Sequence, residues 1–260
     1  MDRWHQAVLL LFLLTWAVNW VLLLLPIGWP PEGRWVEGLL PVLATATTLL
    51  ALSRRLPLQN VLMATVLIAV ISSGIAAVGV ASGVPFGSFI YGDALGDKFF
   101  GLAPWPIPLL WVILIINGRG VSRLILRPWR ETNYYGFWVI GLTCLLMVMF
   151  DFCLEPLAVR VKHYWFWLAA EPASSAHPAP WVNSLGWFVS ALGTLAFTGP
   201  WLINKQPIQQ PADCHPLVVW LLLNLWVTTG NALHHFWLAA GVSAFGNAVV
   251  ALQAVRRARC

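Results

Sequence analysis

Eight long apolar segments follow one another along this chain, and the connections between them hold most of its charged residues. They run over residues 4–25, 35–52, 61–82, 104–118, 135–153, 182–203, 216–230 and 232–254. About 20 apolar residues cross a bilayer as a helix, and a segment in lipid must satisfy its own backbone hydrogen bonds. The pattern therefore predicts an all-α, polytopic transmembrane bundle of about eight spans.

The scarcity of charge supports a membrane location. Charged residues make up 10% of the chain and hydrophobic residues 59%, whereas a soluble domain carries roughly a quarter charged residues. No polar stretch is long enough for a second domain, so we expect residues 1–260 to form a single transmembrane domain. The first segment follows Arg3 as in a signal peptide. Its apolar core is too long and the turn at 26–29 is no small-residue cleavage site, so we expect a retained helix.

The distribution of basic residues predicts the orientation. If the eight spans alternate, 11 Lys and Arg residues fall on the side of the N-terminus and four on the other. The four are Arg34, Lys98, Arg160 and Lys162. The positive-inside rule then places both termini in the cytoplasm, which in a bacterial cell predicts a multi-pass protein of the inner membrane. The chain's pI of about 9.3 comes from these scattered loop charges, so we expect no nucleic-acid partner.

Asp151 and Glu155 form the first candidate site. They stand four residues apart and would share a helix face, although Pro156 should end the helix at Glu155. Two carboxylates this close in a low dielectric cannot both ionise cheaply, and a retained proton is what a general acid needs. The alternative is two carboxylates at the water line, each solvated.

The connection between the third and fourth segments holds the second candidate. Phe86, Tyr91 and Asp93 lie there among several glycines, which allow unusual backbone shapes. Asp93 and Asp97 would stand one turn apart if this piece were helical. The alternative is a wet loop in which Asp93 caps a helix.

Aromatic residues concentrate near the same end of the predicted bundle. Trp165 and Trp167 follow the carboxylates, and Trp187 lies early in the sixth segment. Such a group could form an interfacial belt, a groove for a flat apolar molecule, or a cage for a cation. Asn183, which opens the sixth segment, is either a helix cap or a polar group directed at a ligand.

Histidines suggest a competing haem or metal site. His163, His177, His234 and His235 fall near one membrane face, but no pair recurs at matching depth on two helices. The cysteines form no C-x-x-C pair, and no phosphate loop or dinucleotide fingerprint is present. We therefore expect no metal and no cofactor, and an uncharged apolar substrate.

Several of these residues together resemble the membrane-bound carotenoid biosynthesis family, whose studied members are carotenoid hydratases. The resemblance covers roughly residues 80–190. Its matching stretches, in order, are Gly83-Val84-Pro85-Phe86-Gly87, Tyr91-Gly92-Asp93-Ala94-Leu95-Gly96, Gly101 to Trp111, Asp151 to Pro156, Trp165-Phe166-Trp167 and Asn183-Ser184-Leu185-Gly186-Trp187.

The resemblance implies addition of water to the terminal C1′–C2′ double bond of an acyclic carotenoid drawn from the bilayer. It implies no redox cofactor and allows association with other carotenoid enzymes. Asp93, Asp151 and Glu155 would supply the acid and the base. The substrate-binding candidates are Phe86, Tyr91, Trp165, Trp167, Asn183 and Trp187.

The chain also departs from the family pattern. Ala76 stands where the family has a glutamate, Phe89 where a tyrosine is usual, and Glu155 where an aspartate is common. The change at position 76 keeps two alternatives open. One is a cyclisation or isomerisation through the same carbocation, and the other is a non-catalytic carotenoid-binding membrane protein.

Overall fold

The computed structural model describes residues 2–25, 35–168, 177–203 and 212–258. Eight α-helices are present in those ranges. They are α1 Asp2–Leu24, α2 Trp35–Ser53, α3 Leu58–Ser82, α4 Pro106–Ile125, α5 Tyr135–Arg160, α6 Trp181–Thr198, α7 His215–Leu233 and α8 Trp237–Ala258.

The helices confirm the predicted all-α membrane bundle. Within the described ranges, seven helices are long and apolar enough to cross a membrane, and α2 offers the shorter apolar stretch 38–53. The fourth and fifth helices extend further than the apolar runs predicted, to Ile125 and Arg160. The extra residues are partly basic, which lets the helices continue into the interface, where water solvates the charges.

Helix α4 forms the centre of the bundle. It contacts α2, α3, α5, α7 and α8, and every residue from 111 to 118 is buried. A helix that is apolar on all sides must be covered on all sides, and these five helices surround α4. Helix α1 lies at the periphery, packed on α2 and α7.

The helix ends collect into two groups, as alternation of the spans predicts. At one end, Arg55 lies 3.2 Å from Asp213 of the segment before α7, and Arg257 of α8 lies 4.4 Å above the Trp129 ring. We call this the arginine end. The end that holds Asp151 and Glu155 is the carboxylate end. Arg34, Lys205, Arg259 and the turn at 26–29 lie outside the described residues, and the assignment of membrane sides stays a prediction.

Two short antiparallel ladders lie outside the helices. Strands β1 (Phe89–Tyr91) and β4 (Trp165–Trp167) pair so that Phe89 faces Trp167 and Tyr91 faces Trp165. Strands β2 (Lys98–Phe99) and β3 (Ala103–Pro104) pair within the connection between α3 and α4. This connection is not helical, so of the two alternatives for it the structure has the loop, and Asp93 and Asp97 do not stand one helical turn apart.

The prediction that α5 ends at Glu155 is also wrong, because the helix continues through Pro156 to Arg160. Proline has no N–H to donate to the carbonyl four residues earlier. In this helix His177 Nε2 donates to that carbonyl, Phe152 O, at 2.9 Å, and the His177 ring stacks on the Phe152 ring at 4.3 Å. The imidazole thus replaces the lost backbone bond and allows the helix to carry Glu155 within it.

Candidate active site

Asp151 and Glu155 meet around one amide group at the carboxylate end. Asn183 Nδ2 donates to Asp151 Oδ2 at 2.7 Å and to Glu155 Oε1 at 3.1 Å. The four-residue spacing directs both carboxylates from α5 towards α6, where Asn183 lies in the first turn. The residue that caps α6 is Pro180, and Asn183 lies inside the helix as its third residue. Of the two roles predicted for Asn183, a helix cap or a polar group directed at a ligand, the structure therefore favours the second.

Two indoles complete the hydrogen bonds of Glu155. Trp165 Nε1 lies 3.2 Å from each carboxylate oxygen, and Trp167 Nε1 lies 3.1 Å from Oε2. Successive side chains of a strand point to opposite faces, so Trp165 and Trp167 of β4 share one face and Phe166 points outward. The W-x-W spacing therefore brings both N–H groups to the same carboxylate.

The three polar residues are almost completely enclosed. Asp151 is 0% exposed, Glu155 1% and Asn183 2%. This excludes the alternative in which water solvates both carboxylates. Asp151 Oδ1 has no hydrogen-bond partner among the described residues.

This burial limits the charge that the pair can carry. Two ionised carboxylates beside each other in a water-excluded space repel strongly, so ionising both at once is costly. The groups that surround Glu155 are N–H donors, which can only donate and therefore stabilise a carboxylate there. The arrangement can hold a proton in a dry site and stabilise the anion that remains when the proton leaves.

Aromatic rings form the walls of a cavity of about 40 Å³ beside Glu155. Its lining consists of Ala76, Phe86, Phe89, Tyr91, Leu110, Trp111, Glu155, Trp165, Trp167, Asn183 and Trp187. A water molecule needs roughly 10–15 Å³ of such space, so the cavity has room for at least one. The lining contains all six predicted substrate-binding residues and one of the three predicted catalytic residues, Glu155.

The walls are organised by ring contacts between elements. Trp111 of α4 stacks on Trp187 of α6 at 4.7 Å and 10°. Phe89 contacts Tyr91 edge to face at 5.2 Å and lies 5.5 Å from Trp167. The burial of Tyr91, together with the nearby Glu155, raises the pKa of its phenol, so the hydroxyl keeps its proton at neutral pH.

Phe86 reaches this cavity because two helices leave room for its ring. A methyl group at Gly79 of α3 would lie 2.9 Å from Phe86 Cδ2, and one at Gly186 of α6 would lie 2.7 Å from Phe86 Cδ1 and from Pro85 O. These distances are shorter than ordinary carbon contacts, so only glycine permits this close approach.

We predict that Gly186→Ala destabilises the protein by about 1–3 kcal/mol, because overpacking displaces the segment around Pro85 and Phe86. Gly193→Ala is the matched control, since a methyl group at this other α6 glycine would meet nothing within 4 Å. The thermal midpoint in detergent, read by tryptophan fluorescence, should fall for Gly186→Ala and stay level or rise for Gly193→Ala. Equal midpoints would contradict the packing described here.

Asp93 does not join the carboxylate pair. Its side chain is fully exposed, and its Oδ1 lies 2.8 Å from Lys98 Nζ. The hydrogen bond from Lys98 and its positive charge lower the pKa of Asp93. A solvated carboxylate that stays ionised at neutral pH has no proton to deliver, so the geometry favours Asp151 and Glu155 over Asp93 as the acid.

Four residues that line the small cavity were not singled out as substrate-binding from the sequence, namely Trp111, Leu110, Ala76 and Phe89. Trp111 ends the Gly101–Trp111 stretch of the family resemblance, which was the signal that could have identified it. Ala76 is 3% exposed and lines the cavity. Leu110 carried no signal, because an apolar residue in an apolar helix is ordinary.

A larger cavity of about 660 Å³ adjoins the small one and shares Leu110 and Trp165 with it. Helices α1, α2, α4, α5 and α7 all contribute to its lining, which is mainly apolar. Asp93 lies at its edge. The indole of Trp165 therefore contacts the Glu155 carboxylate and also borders the larger, mainly apolar cavity.

The histidines considered as metal ligands do not come together. Within the described ranges, no group of three or more His, Cys, Asp or Glu side chains is arranged to hold a metal ion. His177 instead supports α5 at Pro156, and His163 contacts Val159 O at 3.1 Å.

Comparison with known proteins identifies a family and a distant relative. The family model described as carotenoid biosynthesis protein matches residues 36–250. A bisanhydrobacterioruberin hydratase from Haloarcula japonica is 33% identical over 129 residues, which is 49% of this chain and 41% of that protein. The aligned part thus spans about two fifths of that relative's length. No solved structure matches the chain.

Proposed function

Since this chain belongs to the carotenoid biosynthesis protein family, we propose that it adds water to the terminal C1′–C2′ double bond of an acyclic carotenoid end group. The single observation that carries this proposal is the Glu155 carboxylate, buried beside Asp151 and facing a cavity walled by aromatic rings. The hydratase name of the distant relative supports the same reaction class.

The proposed reaction begins with proton transfer from the carboxylate pair to C2′. The proton passes through Glu155, because its carboxylate rather than that of Asp151 lines the cavity. The π electrons of the double bond form the new C2′–H bond, and a tertiary carbocation remains at C1′. As negative charge develops on Glu155, the N–H groups of Trp165, Trp167 and Asn183 stabilise it.

Water then completes the reaction. A water molecule in the small cavity forms the C1′–O bond, and its extra proton returns to the carboxylate pair, which restores the starting state. The sum is one water added across one double bond without change of oxidation level, so the reaction needs no redox cofactor.

Aromatic faces would stabilise the carbocation before water captures it. Cations within about 6 Å of an aromatic ring are attracted by the negative face of the ring, most strongly by that of tryptophan. The stacked pair Trp111 and Trp187 and the rings of Phe86 and Tyr91 border the space beside Glu155. These rings would stabilise the cation through their faces, which leaves water to capture it.

The larger cavity suits the polyene part of the substrate. Its apolar lining and its junction with the small cavity at Leu110 and Trp165 allow an extended molecule to present one end to Glu155. In this proposal the substrate comes from the bilayer, and the protein works in the inner membrane with both termini in the cytoplasm. Association with other carotenoid enzymes would shorten the path of the intermediate.

Expression in a bacterial host that accumulates lycopene or γ-carotene tests the reaction. The expected result is a new pigment heavier by one water, detected by chromatography and mass spectrometry. A new pigment of unchanged mass would replace hydration by cyclisation or isomerisation. If neither carotenoid is converted although the protein is in the membrane, the proposed substrate is wrong.

A further inference from the structure

A third cavity, of about 130 Å³, lies at the arginine end, the opposite end of the bundle from Glu155. Helices α2, α4, α5 and α7 and the connections next to them form it. Its lining contains five arginines, which are Arg55, Arg119, Arg123, Arg127 and Arg130. The positive-inside rule accounts for arginines on this face, but it does not require them to converge on one cavity.

Among the described residues that line this cavity, arginines outnumber carboxylates by five to one. The carboxylate is that of Asp213, and its Oδ2 lies 3.2 Å from Arg55 Nε. Burial lowers the pKa of Arg55, Asp213 raises it, and the positive charges of Arg123, Arg54 and Arg127 lower it. The arginines therefore repel one another, and an anion placed among them would relieve that repulsion.

A buried polar group on the same wall also lacks a partner. His215 Nδ1 can donate a hydrogen bond when Nε2 accepts from Thr47 Oγ1, yet Nδ1 has no hydrogen-bond partner among the described residues, and His215 is 8% exposed. His215 lines the cavity. Arg119 Nη2 donates to Leu202 O at 2.7 Å, which holds its guanidinium against the segment that follows α6.

We propose that this arginine cavity binds the phosphate group of an anionic ligand. Guanidinium groups donate paired N–H bonds that match the spacing of phosphate oxygens. Basic pockets between transmembrane helices are a known kind of site for phospholipid head groups, and apolar neighbours such as Leu52 and Leu124 could accept the start of an acyl chain. A free phosphate offers the same chemistry, so the experiment must separate the two sources.

The full chain in a neutral detergent provides the first test. Its thermal midpoint is measured by tryptophan fluorescence in sodium phosphate and in sodium chloride of equal ionic strength. In parallel, the chain is reconstituted in nanodiscs of phosphatidylcholine with or without phosphatidylglycerol. We expect a rise of about 2–4 °C with at least one phosphate source. A rise with inorganic phosphate identifies the free ion, and a rise with phosphatidylglycerol alone identifies the lipid.

Variants test whether the rise in thermal midpoint depends on the arginine cavity. The double variant Arg123→Gln with Arg130→Gln should weaken binding at least about tenfold, because each arginine supplies charge-assisted hydrogen bonds. The control is Arg3→Gln with Arg256→Gln, which removes the same charge from exposed positions at the same end. Should the double variant fail to fold, Arg130→Gln alone serves in its place.

Two results would overturn the proposal. One is a wild-type midpoint that neither phosphate nor phosphatidylglycerol raises. The other is an equal loss of the rise in the cavity variant and in the control, which would assign the effect to general surface charge. Neither result bears on the hydration chemistry at Glu155, because the two cavities share no lining residue.

Discussion

Glu155→Gln is expected to lower carotenoid conversion by about 10²–10⁴-fold while the protein stays folded in the membrane. Glutamine has nearly the same volume, and its oxygen can keep the indole hydrogen bonds of Trp165 and Trp167, although its NH2 group replaces the acceptor of the Asn183 bond. It cannot carry an acidic proton to the cavity, so at matched amounts of folded protein we expect the loss to come from proton transfer. The conversion is measured by pigment analysis in the lycopene-accumulating host, at matched amounts of membrane-inserted protein.

The matched control is Glu131→Gln, the same change at an exposed residue of the arginine end. It should convert carotenoid at the wild-type level. Conversion by Glu155→Gln within a few-fold of wild type would remove Glu155 from the mechanism and leave it a structural acceptor for the indoles.

Asp151→Asn should also abolish most turnover, by a factor of about 10²–10⁴, although Asp151 does not line the cavity. The amide can still accept the Asn183 hydrogen bond through its oxygen, so the contact between α5 and α6 can persist. The negative charge that keeps a proton on the pair is lost. With a neutral neighbour, Glu155 would more readily stay ionised among its three N–H donors and would lack a proton to deliver.

Asp93→Asn separates this explanation from the second acid predicted from the sequence. It is the same substitution at an exposed aspartate paired with Lys98, and it should leave conversion nearly unchanged. The opposite pattern, with Asp93→Asn inactive and Asp151→Asn active, would transfer the acid role to Asp93. A pH profile that shifts in Asp151→Asn but not in Asp93→Asn would support coupling between Asp151 and Glu155.

The site was predictable where local spacing decides geometry. Residues four apart on a helix share a face, so Asp151 and Glu155 were expected together. The W-x-W pattern was recognised as part of the site, although the strand that gives it that function was not expected. A strand of three residues is too short to leave a periodic pattern in a sequence this rich in aromatics.

Other parts depended on long-range contacts that no local pattern contains. Pro156 predicts a helix end from sequence. Only the imidazole of His177, which lies in the connection between α5 and α6, explains why α5 continues. Asp93 and Asp151 look alike as carboxylates beside membrane segments. Their different environments arise because one faces solvent and Lys98 and the other is covered by α6.

The sequence by itself determined that this chain forms a helical membrane protein of the carotenoid biosynthesis family, because apolar length and ordered motifs are properties of the chain alone. The tertiary structure decided which carboxylates are dry, which indoles contact them, and that Ala76 borders an aromatic cavity. It also decided that five arginines converge at the opposite end. Burial and hydrogen bonding depend on what other segments place around a residue, and they determine whether a carboxylate can hold a proton or an arginine cluster can bind an anion.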